Sequence, residues 1–337
     1  MNSLPHIVVI GAGIAGLSCA TVLQQAGLKV SVFDKSRGAA GRMSTRREGD
    51  WQCDHGAQYF TARHPEFRAE VARWQQAGVA GPWLPRLKVL GGTSNHQPDP
   101  AVERFVGIPR MTAPGRLLAD ALVLTTQTTI QQLQCQVDGW HLSSVEQGTV
   151  NGSFDAVLLA VPAPQALPLL KDVAPEMATV AASATMRGCW ALMLRFTAPV
   201  GLPFDAAFVN EGPLRWISRD NSKPGRAGPE TWLLHASAEW SEAHLEQSAD
   251  SVAETLLKAF KQLGGSAPQA WTAHRWRYAD TEPVLNKGCV WDAGVGLGLC
   301  GDWLNGGKVE GAWLSGRRLA QQVLASRYWS RSAPESH

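Results

Sequence analysis

Long apolar runs are missing from this 337-residue sequence. No stretch approaches the roughly 18 consecutive apolar residues of a membrane-spanning helix, so no membrane partner is expected. Charge of one sign is also missing. The chain has 31 Lys and Arg against 29 Asp and Glu, a formal net charge of +2. No broad basic field argues for nucleic acid or a lipid surface. The six cysteines (Cys19, Cys53, Cys135, Cys189, Cys289, Cys300) contain no CxxC pair and no zinc spacing. They read as reduced core thiols of a cytoplasmic protein with no metal site. The opening MNSLPHIVVIGAG has neither a basic segment nor a cleavage site, so it reads as strand and turn rather than signal peptide. Internal repeats and low-complexity segments are absent.

What is present is ordinary globular composition, 45% hydrophobic and 18% charged, at a length that suits two domains. Fourteen tryptophans stand out, several of them within 216–303. Composition favours core filling for them over an aromatic-walled pocket for a flat ligand. His6–Ile10 is a short apolar run ending at glycine, Ile14–Gln25 has helical spacing, and Lys29–Asp34 alternates as a strand. That is the opening of a Rossmann unit. Further along, 64–78 predicts an amphipathic helix, and 125–142 predicts strands of a meander turning at Asp138–Gly139. Residues 154–162 predict a buried strand and 163–185 a helix. Residues 190–196, 215–218, 231–237 and 274–279 predict strands of a separate sheet. A helix over 241–263 is expected, capped by Ser241. The tail, 295–324, reads as strand, glycine loop and helix.

GAGIAG, Gly11–Gly16, fits G-x-G-x-x-G. Gly11 permits the tight turn, Gly13 the approach of a pyrophosphate, and Gly16 close helix packing, with Ala12, Ile14 and Ala15 between them. The following helix offers its free N–H groups and positive dipole end to phosphate. Asp34 closes the unit where a carboxylate meets an adenosine ribose, and Lys35 follows it. This motif alone leaves NAD and FAD open. RGAAGR brings Gly41 and Arg42, with Met43 directly after it, giving small residues for close backbone approach and a planar fork of donors. DHGAQYF, carrying Gln58, Tyr59 and Phe60, begins a turn suited to pass beside an extended cofactor. In CGDWLNGGKVEGAW, Asp302 can bind a polyol or pyrophosphate edge. A helix opening at Glu310, Gly311 and Ala312 can stabilise negative charge on a reduced flavin. Together these favour FAD.

GAGIAG with Asp34, RGAAGR, DHGAQYF, AVP at Ala160–Pro162 and GDW…EGAW…SG resemble the FAD-dependent amine oxidase superfamily, over nearly the whole chain. DHGAQYFTAR, RWISRDNSKPGR and AHRWRYA more closely resemble its bacterial renalases. The resemblance implies an α/β fold: a Rossmann-like FAD-binding domain with an inserted mixed α+β substrate domain, of the amine-oxidase/p-hydroxybenzoate-hydroxylase type. Residues 1–62, 110–162 and 280–337 are assigned to the first and 63–109 and 163–279 to the second. It also implies that Ile130 holds the strand position whose backbone touches adenine. The implied activity is oxidation of the 1,2- and 1,6-dihydro isomers of NAD(P) to NAD(P)+, with O2 reduced to hydrogen peroxide.

Two departures matter. Many members place a lysine near the flavin, yet Lys223 is the only lysine across 172–257, in a polar loop. Cys300 reads as a buried strand residue rather than a flavin attachment point, so noncovalent FAD is expected. A second strand–GxGxxG–helix unit is absent, because the other match, GLGLCG at Gly296–Gly301, falls in the strand of the tail, so a separate NAD(P)H domain is not expected. Hydride transfer from a dihydronicotinamide needs no acid–base residue, so none is assigned. Trp216, Trp232, His235, Trp276 and Tyr278 are the pocket candidates, with a core role the alternative for each. Asn95, Arg187 and Lys223 are candidates for substrate phosphates or amides, with surface solvation the alternative. An amine oxidase or desaturase and a non-catalytic FAD module stay open, as does the oligomeric state.

Overall fold

The computed structural model describes residues 4–92, 99 and 101–326, so Asn95 lies outside the described residues. The chain divides into two compact units. The first contains 1–41, 115–186 and 281–337, and the second 42–114 and 187–280. Sequence-based boundaries differ at 42–62, 110–114, 163–186 and residue 280. Residues 42–62 belong to the second unit, because the hairpin Thr45–Glu48/Trp51–Asp54 packs Trp51 and Cys53 on Ala191, Met193 and Leu233. Residues 163–186 belong to the first, because Ala163, Ala166, Leu170 and Met177 share a core with Val157 and Leu159.

The first unit is built on a six-stranded sheet. Its order is Val290–Asp292, Leu297–Leu299, Ala156–Leu159, His6–Ile10, Lys29–Phe33, Val123–Thr125. His6–Ile10 runs parallel to Lys29–Phe33 on one side and to Ala156–Leu159 on the other. Strand order reverses there, and ligands of open α/β sheets bind outside the strand ends at such a switch point. The helix Ile14–Gln25 leaves from that end, and Val309–Ala325 packs on it closely. A Cβ on Gly316 would stand 1.9 Å from the Ala15 carbonyl oxygen. Ile130–Gln136, Gly139–Ser144 and Gly148–Thr149 form the expected antiparallel meander.

The second unit carries another six-stranded sheet. Its order is Ala270–Thr281, Met186–Arg195, Thr231–Ala236, Leu214–Arg219, Ala206–Val209, Leu87–Leu90. Side chains alternate across it. Trp190, Leu192, Leu194, Trp232 and Leu234 face one core with Val252, Leu256 and Phe260 of the helix Ala249–Gln262. Ala191, Met193 and Leu233 face the opposite side, toward Trp51 and Cys53.

Two helix expectations are corrected. The 241–263 segment forms two helices, Ala238–Ala243 and Ala249–Gln262, capped by the hydroxyls of Ser237 and Ser248. Ser241 is buried and its hydroxyl accepts from the Trp190 amide at 3.0 Å, so it is unable to cap. The 163–185 segment likewise breaks into Ala163–Leu170 and Pro175–Ala182, where Pro175 opens the second helix at its first position.

Candidate functional site

In the first unit the glycine turn forms an open cradle. The Gly11 amide donates to the Phe33 carbonyl at 2.7 Å, and Gly11 takes φ +109°. A Cβ on Gly16 would stand 1.9 Å from the Gly11 carbonyl oxygen, so the helix sits as close as glycine allows. A Cβ on Gly13 would meet nothing within 4 Å. That open space lies at the N-terminus of Ile14–Gln25, where no side chain caps the helix and no acid occupies the first turn. Its amides and dipole end suit an anion. Asp34 braces the turn, accepting from the Ala12 amide at 2.6 Å and the Ser36 amide at 2.7 Å.

The second glycine patch folds back onto the first. The Ala40 amide donates to the Ala12 carbonyl at 2.9 Å, with Ala40 at φ +90°. A Cβ on Gly41 would lie 3.2 Å from Gly13 Cα. Lys35 is exposed, Ile130 is buried at the start of its strand, and Asp302 is buried in a short 3-10 turn. Glu310, Gly311 and Ala312 open Val309–Ala325, and a Cβ on Gly311 would stand 1.7 Å from the Asn305 carbonyl oxygen. Spacing, openness and donor chemistry therefore fit a dinucleotide diphosphate and ribose.

In the second unit, strand register gathers rings on one sheet face. Phe208 pairs with Trp216, and Trp216 with His235. Directly paired residues share a face, so these three lie on the side opposite Ile217, Leu234 and the helix Ala249–Gln262. Trp216 packs with Phe208, Tyr59 and Trp83 at ring separations of 4.9, 5.7 and 6.4 Å. Nearby, His55 stacks on Trp276 at 5.2 Å and meets His274 edge-on at 4.8 Å. The His55 carbonyl accepts from both Trp276 Nε1 at 2.9 Å and His235 Nε2 at 3.0 Å. One backbone oxygen thus fixes two side chains from two strands.

Burial, then the neighbouring imidazoles of His274 and His235, pushes His55 down to about 3. Burial pushes His235 down to about 4 and also lowers His274. All three rings are neutral near pH 7. Unfolded histidine titrates near its ordinary 6.5, so below that value the unfolded chain binds more protons than the folded one. This part of the stability is complete above about pH 6.5 and is lost as pH falls toward the folded values. Urea midpoints are expected to fall between pH 7.5 and pH 5, where most carboxylates stay ionised, and less steeply in His235→Gln. Equal slopes for both proteins would contradict the assignment.

Beside these rings lies a buried charge cluster, with Lys223 5.8 Å from the Trp83 ring centre. Lys223 Nζ contacts Asp220 Oδ1 at 3.0 Å, Gln58 Oε1 at 3.1 Å and Asp54 Oδ2 at 3.2 Å, with its side chain 0% exposed. Arg226 Nη2 donates to Asp54 Oδ2 at 2.5 Å, and its Nη1 reaches the Gly107 carbonyl. Asp54 Oδ1 accepts from Thr45 Oγ1 at 2.6 Å and the Met111 amide at 3.2 Å. Burial raises the Asp54 carboxyl, but Lys223 and Arg226 outweigh it and hold it well below the usual range. Asp220 is pushed up, first by burial.

The sequence candidates separate accordingly. Trp216, His235 and Trp276 lie in the ring clusters of the second unit, and Tyr278 is two residues beyond Trp276 on the same strand. Trp232 does not join them. It packs on Phe204 and Phe260 in the opposite core. Lys223 is no surface lysine but the centre of the charge cluster. Arg187 is tied to Glu242 at 2.6 Å and Glu239 at 2.9 Å instead of standing in solvent. Gln58 uses its side-chain N–H groups on the Asp54 and Gly56 carbonyls, and its oxygen accepts from Ser218 and Lys223. Its side chain is thus held within the second unit. Phe60 packs in a core with Phe67, Trp74 and Phe105, and Met43 is buried. Arg42 donates to the Ala279 carbonyl at 3.2 Å. Sequence reasoning missed His55, His274, Asp54 and Asp220. The DH and HRW pairs sat in quoted motifs, but nothing local joins residues more than 160 positions apart.

A family model described as flavin containing amine oxidoreductase matches residues 110–324, and one described as NAD(P)-binding Rossmann-like domain matches 9–74. The L-amino-acid oxidase of Siganus canaliculatus is 39% identical over 70 residues, 20% of this chain and 13% of that protein. The chain thus matches only a small part of that relative's length. Among solved structures, cyclohexylamine oxidase from Brevibacterium oxydans IH-35A superposes with a TM-score of 0.72 at 13% identity, covering 95% of this chain and 99% of that one. Putrescine oxidase bound to putrescine gives 0.70 at 14% identity, covering 96% and 99%. These structures share the fold. Among the described residues, no helix is long and apolar enough to cross a membrane.

Proposed function

Because the chain belongs to the flavin containing amine oxidoreductase family, we propose that it is an oxidase with noncovalent FAD that acts on the 1,2- and 1,6-dihydro isomers of NAD(P). FAD held there would supply a two-electron acceptor for the substrate's hydride, leaving NAD(P)+, and O2 with one solvent proton would take up that hydride's electron pair as hydrogen peroxide. Gly11, Gly13 and the amides opening Ile14–Gln25 hold the diphosphate, Asp34 the adenosine ribose, and Ile130 the adenine through its backbone. Gly41, Arg42 and the Asp302 and Glu310–Ala312 turn complete the set.

One observation carries the substrate reading. The renalase-like stretches meet in the second unit, His55 against His274 and Trp276, and Asp54 against Asp220 and Lys223. They make an aromatic face whose histidines are all neutral, and the one lysine nearby is consumed by buried carboxylates. A dihydronicotinamide becomes aromatic when it gives up hydride and releases no proton, so it needs stacking and orientation rather than a base. His55 and Trp276 supply the flat surface.

The test is anaerobic mixing of the purified flavoprotein with each dihydro isomer, with ordinary 1,4-dihydro NAD(P)H and with an amine panel. Rapid bleaching of the flavin by either isomer, with NAD(P)+ as product, is expected. Bleaching only by amines, with release of ammonia or aldehyde, would replace the reading with amine oxidation. A flavin reduced by neither set would point to a non-catalytic module.

A further inference from the structure

We propose that Arg46 is the phosphate-recognising residue for the nucleotide part of the substrate, an inference that rests on the dihydronicotinamide reading. The hairpin register pairs Arg46 directly with Cys53, and such partners project from the same face of the ladder. Cys53 is buried with Trp51, Ala191, Met193 and Leu233, and Trp276 packs against this group. Arg46 therefore leaves the hairpin on the Trp276 side, yet stays exposed. Arg47 projects the other way, beside Gln52, which accepts from Arg110 at 2.6 Å. The charge of Arg46 is felt at both rings of the aromatic face, where it opposes protonation of His55 and His274.

Several other arginines of this unit meet carboxylates: Arg187 meets Glu242, Arg219 meets Asp205, and Arg275 and Arg277 share Glu246. Among the described residues Arg46 has no carboxylate partner. A guanidinium held unpaired beside an aromatic face is matched in shape and charge to a phosphate, which it can grip with two parallel N–H bonds. The substrate brings such a group. Its nicotinamide ring is joined through one ribose to a phosphate.

The experiment uses the holoenzyme, Arg46→Gln and Arg46→Lys with three reduced substrates: dihydronicotinamide riboside, its mononucleotide and the dinucleotide. Bound flavin in each variant reports folding. Arg46→Gln is expected to raise KM for the two phosphate-bearing substrates about three- to tenfold, with kcat retained and the riboside unaffected. Arg46→Lys is expected to recover part of the loss, and added salt to shrink it. NAD+ binding, read by tryptophan fluorescence, should weaken by the same factor, and nicotinamide riboside binding should not. An equal effect on riboside and mononucleotide, or no effect on either, would overturn the role of Arg46. A wild-type enzyme that oxidises none of the three would instead overturn the substrate reading, and this inference with it.

Discussion

Replacing Lys223 by methionine is expected to destabilise the protein by about 3–5 kcal/mol, the usual cost of breaking a buried ion pair from one side. Methionine fills much of the same volume, so the loss is electrostatic rather than a cavity effect. Asp54 would keep Arg226 at 2.5 Å, but Asp220 would lose its 3.0 Å cation while remaining 2% exposed. The measurement is the urea midpoint at pH 7 with an unchanged denaturant slope. Lys223→Met/Asp220→Asn removes the stranded charge and should recover part of the loss. A single variant within 1 kcal/mol of wild type, or a double variant worse than the sum of both singles, would refute the cluster's role. The same cluster anchors the residue preceding His55, whose carbonyl holds His235 and Trp276. The single variant should therefore also reduce turnover at temperatures where it remains folded.

Gly16→Ala and Gly13→Ala are expected to separate packing from cofactor binding within one motif. At Gly16 the new methyl would stand 1.9 Å from a backbone oxygen. Relief requires moving the helix off the strand end, at roughly 1–3 kcal/mol or more. The apoprotein should lose stability and flavin together. At Gly13 the backbone is already extended, φ −74° and ψ 174°, and the methyl meets no protein atom within 4 Å. The apoprotein should melt as wild type does, while FAD affinity falls by about tenfold or more, a loss of 1.4 kcal/mol or greater. Thermal melts of the apoproteins and flavin titrations decide this. Gly13→Ala with undiminished FAD affinity would mean that the diphosphate lies elsewhere.

The cradle was legible because its information is local. Gly11, Gly13, Gly16 and Asp34 fall within one strand–turn–helix–strand unit, where a short stretch fixes both conformation and chemistry. The meander at Asp138–Gly139 was legible for the same reason. The second glycine patch was half legible. Its small residues announced close approach, but only the structure shows Ala40 bonded to Ala12 and Gly41 against Gly13.

The face of the second unit was decided by tertiary packing. Trp216 and Trp232 both lie on apolar strands, and a strand's alternation says only which residues share a side. Which side became core was set by Val252, Leu256 and Phe260, which claimed Trp232 and left Trp216 to the other face. Lys223 is the sharper case. In sequence it stands in a polar loop between proline and serine, where solvation is the default. Its burial is possible only because Asp54, 169 residues away, and Asp220 are brought to it by the fold. Sequence by itself determined the glycine turn and the open helix N-terminus behind it, since backbone geometry there is local. Tertiary structure decided which charges and rings are buried, since burying them requires partners that only long-range folding supplies.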